Sequence, residues 1–444
     1  MAYAAKQGRR PPEYASKSSH GYIVVDPTVE ALLKNCHFPK SAQEVTLTDY
    51  ENVKVNDGQD NPIENIIAVD GSFRETDVRS EFPSSTLTFF QFGILFFRRM
   101  DLEELETQPF IDPGDIAKLN NIQRVKLAFP TKNIIYKDEK TLTHSVRRAL
   151  YEFFTTQPSG DTLIETLRWL LYEEYSTGVE TWQLANCPQC GRSNVDLNRG
   201  EMSDDFTFNC PHCKDQIFLT DVFRLHEAID DELGAGGVIS YTMNLIEHLL
   251  VLHVIRLILK TKPDVLKETL FIKDGPLAFF GQTANLYKPT RKLLTFLDGN
   301  NDIYMVGLEK SGAFVEHADQ ISEKIPPNTA LILNNEYIYK YIIPGHGDDE
   351  SPYGKTTYFG NKVIFKTSEG QVYVASIPTL RALVAPKKEI FLNLETVLLN
   401  VKLLRCDMYD SALIPVALAN KLISLSDHPS ATILEKFARE HIKK

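Results

Sequence analysis

The chain has 444 residues, 43% apolar and 24% charged, the balance of a globular protein with room for two or three domains or one large core with insertions. Against 59 Asp and Glu stand 48 Lys and Arg, and the net charge of −11 excludes a surface coated with general nucleic-acid-binding groups, though not basic groups lining an enclosed channel. No segment has the uninterrupted apolar length of a membrane span; the nearest, Leu245 to Leu259, is broken by Glu247, His248, His253 and Arg256.

Residues 1–20 are basic and polar, with Pro11-Pro12, and read as a mobile tail. They lack the apolar core of a signal peptide, so the expected location is the cytoplasm. A strand is expected over Pro62 to Val69, delivering Asp70 at its tip before Gly71-Ser72 turns the chain. A second, TLTFFQFGILFF (Thr86 to Phe97), is rich in aromatic and β-branched residues. Residues 102–185 turn helical in THSVRRALYEFF and DTLIETLRWLLYEEY, with Asp161 as a cap for the latter. The basic pairs Arg98-Arg99, Arg147-Arg148, Arg291-Lys292 and Lys387-Lys388 read as solvated surface, or as the lining of a channel.

Residues 187–213 form an insert with two knuckles, Cys187-Pro-Gln-Cys190 and Cys210-Pro-His-Cys213, separated by 19 residues. That spacing is that of a tetrathiolate zinc ribbon, each CxxC pair chelating one side of a tetrahedral ion. A redox CxxC needs no matching twin, and four thiolates close the coordination sphere, so the expected zinc is structural. The insert holds Asp196, Glu201, Asp204 and Asp205 against Arg192 and Arg199, a poor clamp for DNA. It reads as architectural or protein-contacting, with His212 facing solvent. Cys36 and Cys406 read as buried free thiols.

An acidic patch spans Asp215 to Glu232, within which Glu227, Asp230, Asp231 and Glu232 are expected to be a solvated surface open to a partner. A long helix, roughly Val238 to Lys260, follows the turn Gly234 to Gly237 and stops before Pro263. Next come a strand running into Asp274-Gly275-Pro276, another from Asp302 to Gly312, two or three strands between Thr329 and Ile377, and helix from about Ser411. The whole reads as a mixed α/β arrangement with an insertion before its longest helix: 1–20 tail, 21–186 first part of the core, 187–213 ribbon, 214–444 second part.

A carboxylate is costly to bury without a compensating cation or hydrogen bonds, so two apolar strands that each end on Asp-Gly suggest a pair of metal ligands, Asp70 and Asp274. A two-metal phosphodiester cleavage site needs further acids within about 4 Å of the cations. Glu247 is the candidate third, because its helix, NLIEHLLVLHVIRLIL, is apolar on nearly every face and a buried Glu there needs a partner. His248 and His253 on that helix read as satisfied core or surface histidines rather than metal ligands. Lys310, after the strand MVGLE, is placed to meet a phosphate, or is ordinary surface.

AVDGSF, FIKDGPL and MVGLEKSG, in this order and spacing, resemble the NurA nuclease family over most of residues 62–425. That resemblance implies a ribonuclease-H-like core carrying a manganese- or magnesium-dependent DNA nuclease site with two ions. Asp70 and Asp274 correspond to metal-binding aspartates, Glu247 to the helix glutamate and Lys310 to the lysine after the next strand. It also implies a homodimeric ring, a hexameric ATPase partner of the HerA type, and work in DNA end processing or phage defence. Family members usually carry a histidine on the last helix, in a context like Pro-x-x-Leu-Ala-His; here the segment reads Pro415-Val-Ala-Leu-Ala-Asn420. Asp410 and Asp427 flank that helix. Two other readings stay open: an adaptor with the same fold that binds a motor or DNA without cutting, and an RNA-directed nuclease.

Overall fold

The computed structural model describes residues 19–79, 83–101, 122–156, 160–300, 302–345, 350–406, 411–425 and 430–441. Nearly all of the tail, together with Asp410 and Asp427, lies outside them. The centre of the molecule is a nine-stranded sheet in the order β1-β11-β12-β13-β10-β9-β2-β3-β4. Its strands are β1 (Asn52–Lys54), β2 (Asn65–Arg79), β3 (Ser85–Arg98), β4 (Ile122–Lys132), β9 (Thr269–Asp274), β10 (Tyr304–Glu309), β11 (Thr329–Ile332), β12 (Gly360–Lys366) and β13 (Val372–Pro378). β9 runs parallel to β2 on one side and to β10 on the other, while every other neighbouring pair is antiparallel. The block β4-β3-β2-β9-β10, an antiparallel meander followed by two parallel strands, is the sheet order of a ribonuclease-H-like core, and the mixed α/β class expected from the sequence holds.

The helices, in chain order, are α1 (Ser19–Val24), α2 (Pro27–Lys34), α3 (Leu142–Thr155), α4 (Leu163–Leu171), α5 (Ile239–Thr261), α6 (Tyr287–Asp298), α7 (Ala313–Ile321), α8 (Asn335–Tyr341), α9 (Leu394–Leu403), α10 (Ile414–Ile423) and α11 (Ser430–His441). Strand alternation sends Ile67 and Val69 of β2 into one core, shared with α3 to α6, and Ile66 and Ala68 into another, shared with α9 and α10. A third cluster joins α7 and α8 to the β11–β13 end. Helix α5 is long and apolar enough to cross a membrane, but two-thirds of that apolar window (67%) is buried inside the protein.

Two differences from the sequence reading bear on the site. The strand expected to stop at Asp70 runs on to Arg79, because β2 stays paired with β3 through Gly71, Ser72 and beyond. Asp70 is therefore an interior strand residue. β9, by contrast, does stop at Asp274, where Gly275 takes a positive φ of 82°. Strand β4, in a stretch expected to turn helical, and helices α6 to α9 were not expected; α8 is a short element capped by Asn334, whose side chain accepts from the Tyr337 amide.

The cysteine insert consists of two hairpins, β5–β6 (Thr181–Asn186 with Ser193–Asn198) and β7–β8 (Thr207–Asn209 with Gln216–Phe218). They reach beyond 187–213 on both sides, and Leu184, Val195, Leu197, Phe208 and Ile217 join the core shared with α3 to α6.

Candidate active site

Asp70 is 4% exposed and lies on the Ile66–Ala68 face of β2. The β2–β9 register closes on Val69 opposite Lys273. One step further on, β9 ends, so Asp70 and Asp274 lie at the point where β2 loses its neighbour. The C-terminal ends of parallel strands, where a sheet changes direction, are a favoured place for ligands in α/β proteins.

The two aspartates are treated differently. Asp70 Oδ1 accepts the Gly71 amide at 2.8 Å, while its buried Oδ2 has no hydrogen-bond partner. Asp274 is partly exposed, and its Oδ2 accepts the Lys310 ammonium at 2.8 Å. Burial, then the neighbouring charges of Asp274 and Glu247, push the Asp70 carboxyl up to about 8, against the opposing pull of Lys310 and the Gly71 amide. With no divalent cation beside it this buried acid keeps its proton at neutral pH, and such a cation would displace that proton and take the unengaged oxygen.

Glu247 reaches the same junction from the other face. It extends from α5 over Gly71, where an added Cβ would come within 2.8 Å of its Oε1. Its Oε2 accepts the Lys273 ammonium at 2.7 Å, with both side chains shut from solvent. Lys273 also donates to the backbone carbonyl of Asp274. Burial holds the Glu247 carboxyl above its ordinary value even though Lys273 opposes this.

Asp70, Asp274 and Lys310 are thus brought together, and Glu247 abuts them through Gly71. Lys273 was not singled out from the sequence. Its signal was present all the same, a lysine between apolar residues and an Asp-Gly turn in FIKDGPL. The three acids do not form a group whose oxygens all lie within 4.8 Å; among the described residues only the four cysteines do so.

The last turns of α10 dock over the Asp70 face: the Ile423 carbonyl accepts from Gln91 Nε2, and just beyond, the Leu425 amide donates to Ser72 Oγ. Asn420 is exposed on this helix. His248 and His253 are buried, as expected of core histidines. One ring stacks near Phe279, and the other bonds Thr166 Oγ1 at 2.7 Å. Glu227, Asp230, Asp231 and Glu232 are exposed, Asp231 accepting from the Thr143 amide and hydroxyl, whereas Asp221 earlier in the acidic patch forms a buried ion pair with Arg147 at 2.8 Å. Arg147 accordingly lines no channel.

The four cysteines are unoxidised, and their ligand atoms lie within 4.8 Å of one another. The sulfurs of Cys187 and Cys213, and those of Cys190 and Cys210, are 3.9 Å apart. A tetrahedral ion with metal–sulfur bonds of about 2.3 Å separates its ligands by about 3.8 Å, so the spacing fits a tetrathiolate metal site. Each knuckle closes with a backbone bond, Gly191 to the Cys187 carbonyl and Lys214 to that of Cys210. His212 is exposed, in line with its expected place outside the ligand set. Cys406 is buried, but Cys36 is exposed on the short α1–α2 arm, which offers it no core to enter.

No known protein family profile matches the chain, and no curated protein does. Among solved structures, the chain is similar to the NurA nuclease from Sulfolobus solfataricus, at 9% identity over 96% of this chain and 97% of that one, with a TM-score of 0.34. It is also similar to a structure of NurA with manganese, at 12% identity over 96% of this chain and 99% of that one, with a TM-score of 0.28.

Proposed function

We propose that this protein is a divalent-metal-dependent deoxyribonuclease of NurA type. The observation that carries the reading is the buried, unpartnered Oδ2 of Asp70 beside Asp274, at the place where β9 ends and β2 continues. Asp70 and Asp274 would hold the ion, manganese or magnesium. Bound there, a divalent ion supplies an acidified water and offsets the charge gathering on a phosphodiester. Lys310 neutralises Asp274 in the metal-free site, and its ammonium suits a phosphate oxygen once a cation takes over that task. Glu247, held by Lys273, fixes the Gly71 backbone next to Asp70. Whether it also ligates a second ion depends on losing that lysine. The ribbon cysteines suit a structural zinc, and the family resemblance points to a homodimer fed with DNA by a HerA-type hexameric ATPase.

The second reading, an adaptor that binds such a motor or DNA without cutting it, is favoured by two features: the commitment of Glu247 to Lys273, and an exposed asparagine at position 420. Manganese-dependent degradation of linear DNA separates the two. Wild type and Asp70→Ala would each be assayed alone and with a HerA-type ATPase. Cleavage by wild type only supports the nuclease, while a stable motor complex that never cuts supports the adaptor.

A further inference from the structure

Helix α6 follows Asp274 by a dozen residues and presents two unlike faces. Leu293, Leu294 and Leu297 enter the core. Lys288, Arg291, Lys292 and Thr295, spaced three and four apart, share the opposite side and line one wall of a cavity of about 620 Å³. The cavity also contains Tyr175, Tyr287 and Phe296, and its one acid is Glu173. Three cations against one carboxylate is a local excess of positive charge in a chain whose net charge is −11.

The cations are held in different ways. Lys292 pairs with Glu173 at 2.6 Å. Arg291 donates to the Tyr358 carbonyl, stacks its guanidinium over the Tyr287 ring at 5.6 Å, and keeps a buried Nε without a partner. Lys288 is exposed, with its ammonium 6.0 Å from the Tyr287 ring centre. The cavity is tied to the acid site by the backbone. Tyr358 pairs with Ala278, four residues beyond Asp274, which places Ala278 within roughly 14 Å of that aspartate along the chain.

A groove that combines cations with aromatic rings has the make-up of a single-strand binding site, phosphates meeting the cations and bases lying on the rings. We propose that this cavity holds single-stranded DNA a few nucleotides from the scissile phosphate, Lys288 and Arg291 meeting its backbone and Tyr287 and Phe296 its bases. The proposal rests on the nuclease reading and adds to it a place where the strand is gripped. It also gives a use to Arg291-Lys292, a basic pair that lines this cavity.

The test measures binding of fluorescent oligo(dT) by anisotropy, with calcium in place of manganese, for wild type, Lys288→Glu, Tyr287→Leu and Asp70→Asn. Hydrolysis of bis(p-nitrophenyl) phosphate with manganese, a diester too small to span both places, is followed in parallel. Lys288→Glu should weaken oligonucleotide binding about tenfold or more and lower the salt dependence by about one unit of slope, and Tyr287→Leu should weaken it severalfold. Both should leave small-diester hydrolysis and melting temperature unchanged. Wild-type affinity in Lys288→Glu and Tyr287→Leu, with hydrolysis intact, overturns the cavity as a strand site and leaves the nuclease standing. No binding and no hydrolysis by wild type removes the nuclease reading, and the strand site with it.

Discussion

Lys273 and Glu247 form an ion pair across 2.7 Å, with side chains 3% and 5% exposed, at the seam between α5 and the central strands. Removing one partner of such a pair strands a charge in the core, at a cost of about 3–5 kcal/mol. Lys273→Met should therefore lower stability in urea by that order, and Glu247→Leu combined with Lys273→Met should recover most of the loss. The single variant should also suffer more as pH rises. Without the ammonium, the Glu247 carboxyl is pushed further above its ordinary value, and the folded state must hold a proton that the unfolded chain releases. A double variant no more stable than Lys273→Met would show that the pair is not what holds this seam.

The raised carboxyl of Asp70 predicts a pH dependence of the same sign. An unfolded chain releases this proton near the ordinary value of 3.8, whereas the folded protein keeps it until about 8. Asp70 therefore weakens the fold progressively from about pH 4 to about pH 8, and the penalty is constant above that. Each unit of separation corresponds to about 1.4 kcal/mol. Asp70→Asn should match wild type near pH 4 and melt at a clearly higher temperature at pH 8. Manganese at pH 8 should raise the wild-type melting temperature and leave that of Asp70→Asn largely unchanged. Equal melting of the two proteins across the range would remove the burial strain assigned to Asp70.

Much of this centre is legible from local chemistry. Apolar runs into Asp-Gly mark both aspartates, and the two CxxC knuckles announce a tetrathiolate cluster whatever the surrounding fold. What local pattern misses is set by pairing at a distance. Asp-Gly-Ser reads as a turn at position 70, yet β3 continues to pair with this segment through Arg79, and ladder hydrogen bonds outweigh the turn preference. The role of Lys273 depends on β9 lying beside β2 beneath α5, a relation between segments far apart in sequence. Arg147 looks like a surface pair with Arg148 until the β7–β8 hairpin brings Asp221 against it.

Gly71 is the strand residue that admits Glu247. A methyl group there would meet Glu247 Oε1 at 2.8 Å, Phe92 Cδ1 at 3.0 Å and Met243 Cγ at 3.1 Å. Overpacking of this kind costs about 1–3 kcal/mol. Gly71→Ala should fall by that amount in urea denaturation and, on the proposed nuclease reading, lose most of the DNA cleavage, because the Glu247 carboxylate and the Asp70 backbone cannot both keep their places. An alanine variant with wild-type stability and cleavage would show that the contact relaxes without consequence.

The four-cysteine cluster makes the most direct prediction, because its sulfurs are tied into the main core. Cys187 and Cys210 are buried there beside Leu184, Phe208 and Ile217, and Arg147 links the β7–β8 hairpin to α3 through Asp221. Losing the ion should therefore cost the whole α3-to-α6 layer its stability, rather than unravel an independent appendage. Elemental analysis should find about one zinc per chain. Cys210→Ser should lose that zinc and lower the melting temperature of the single main transition by many degrees, since structural zinc contributes directly to folding free energy. A folded, zinc-free wild type would refute the metal assignment. A variant that loses zinc yet melts like wild type would place the cluster outside the cooperative core.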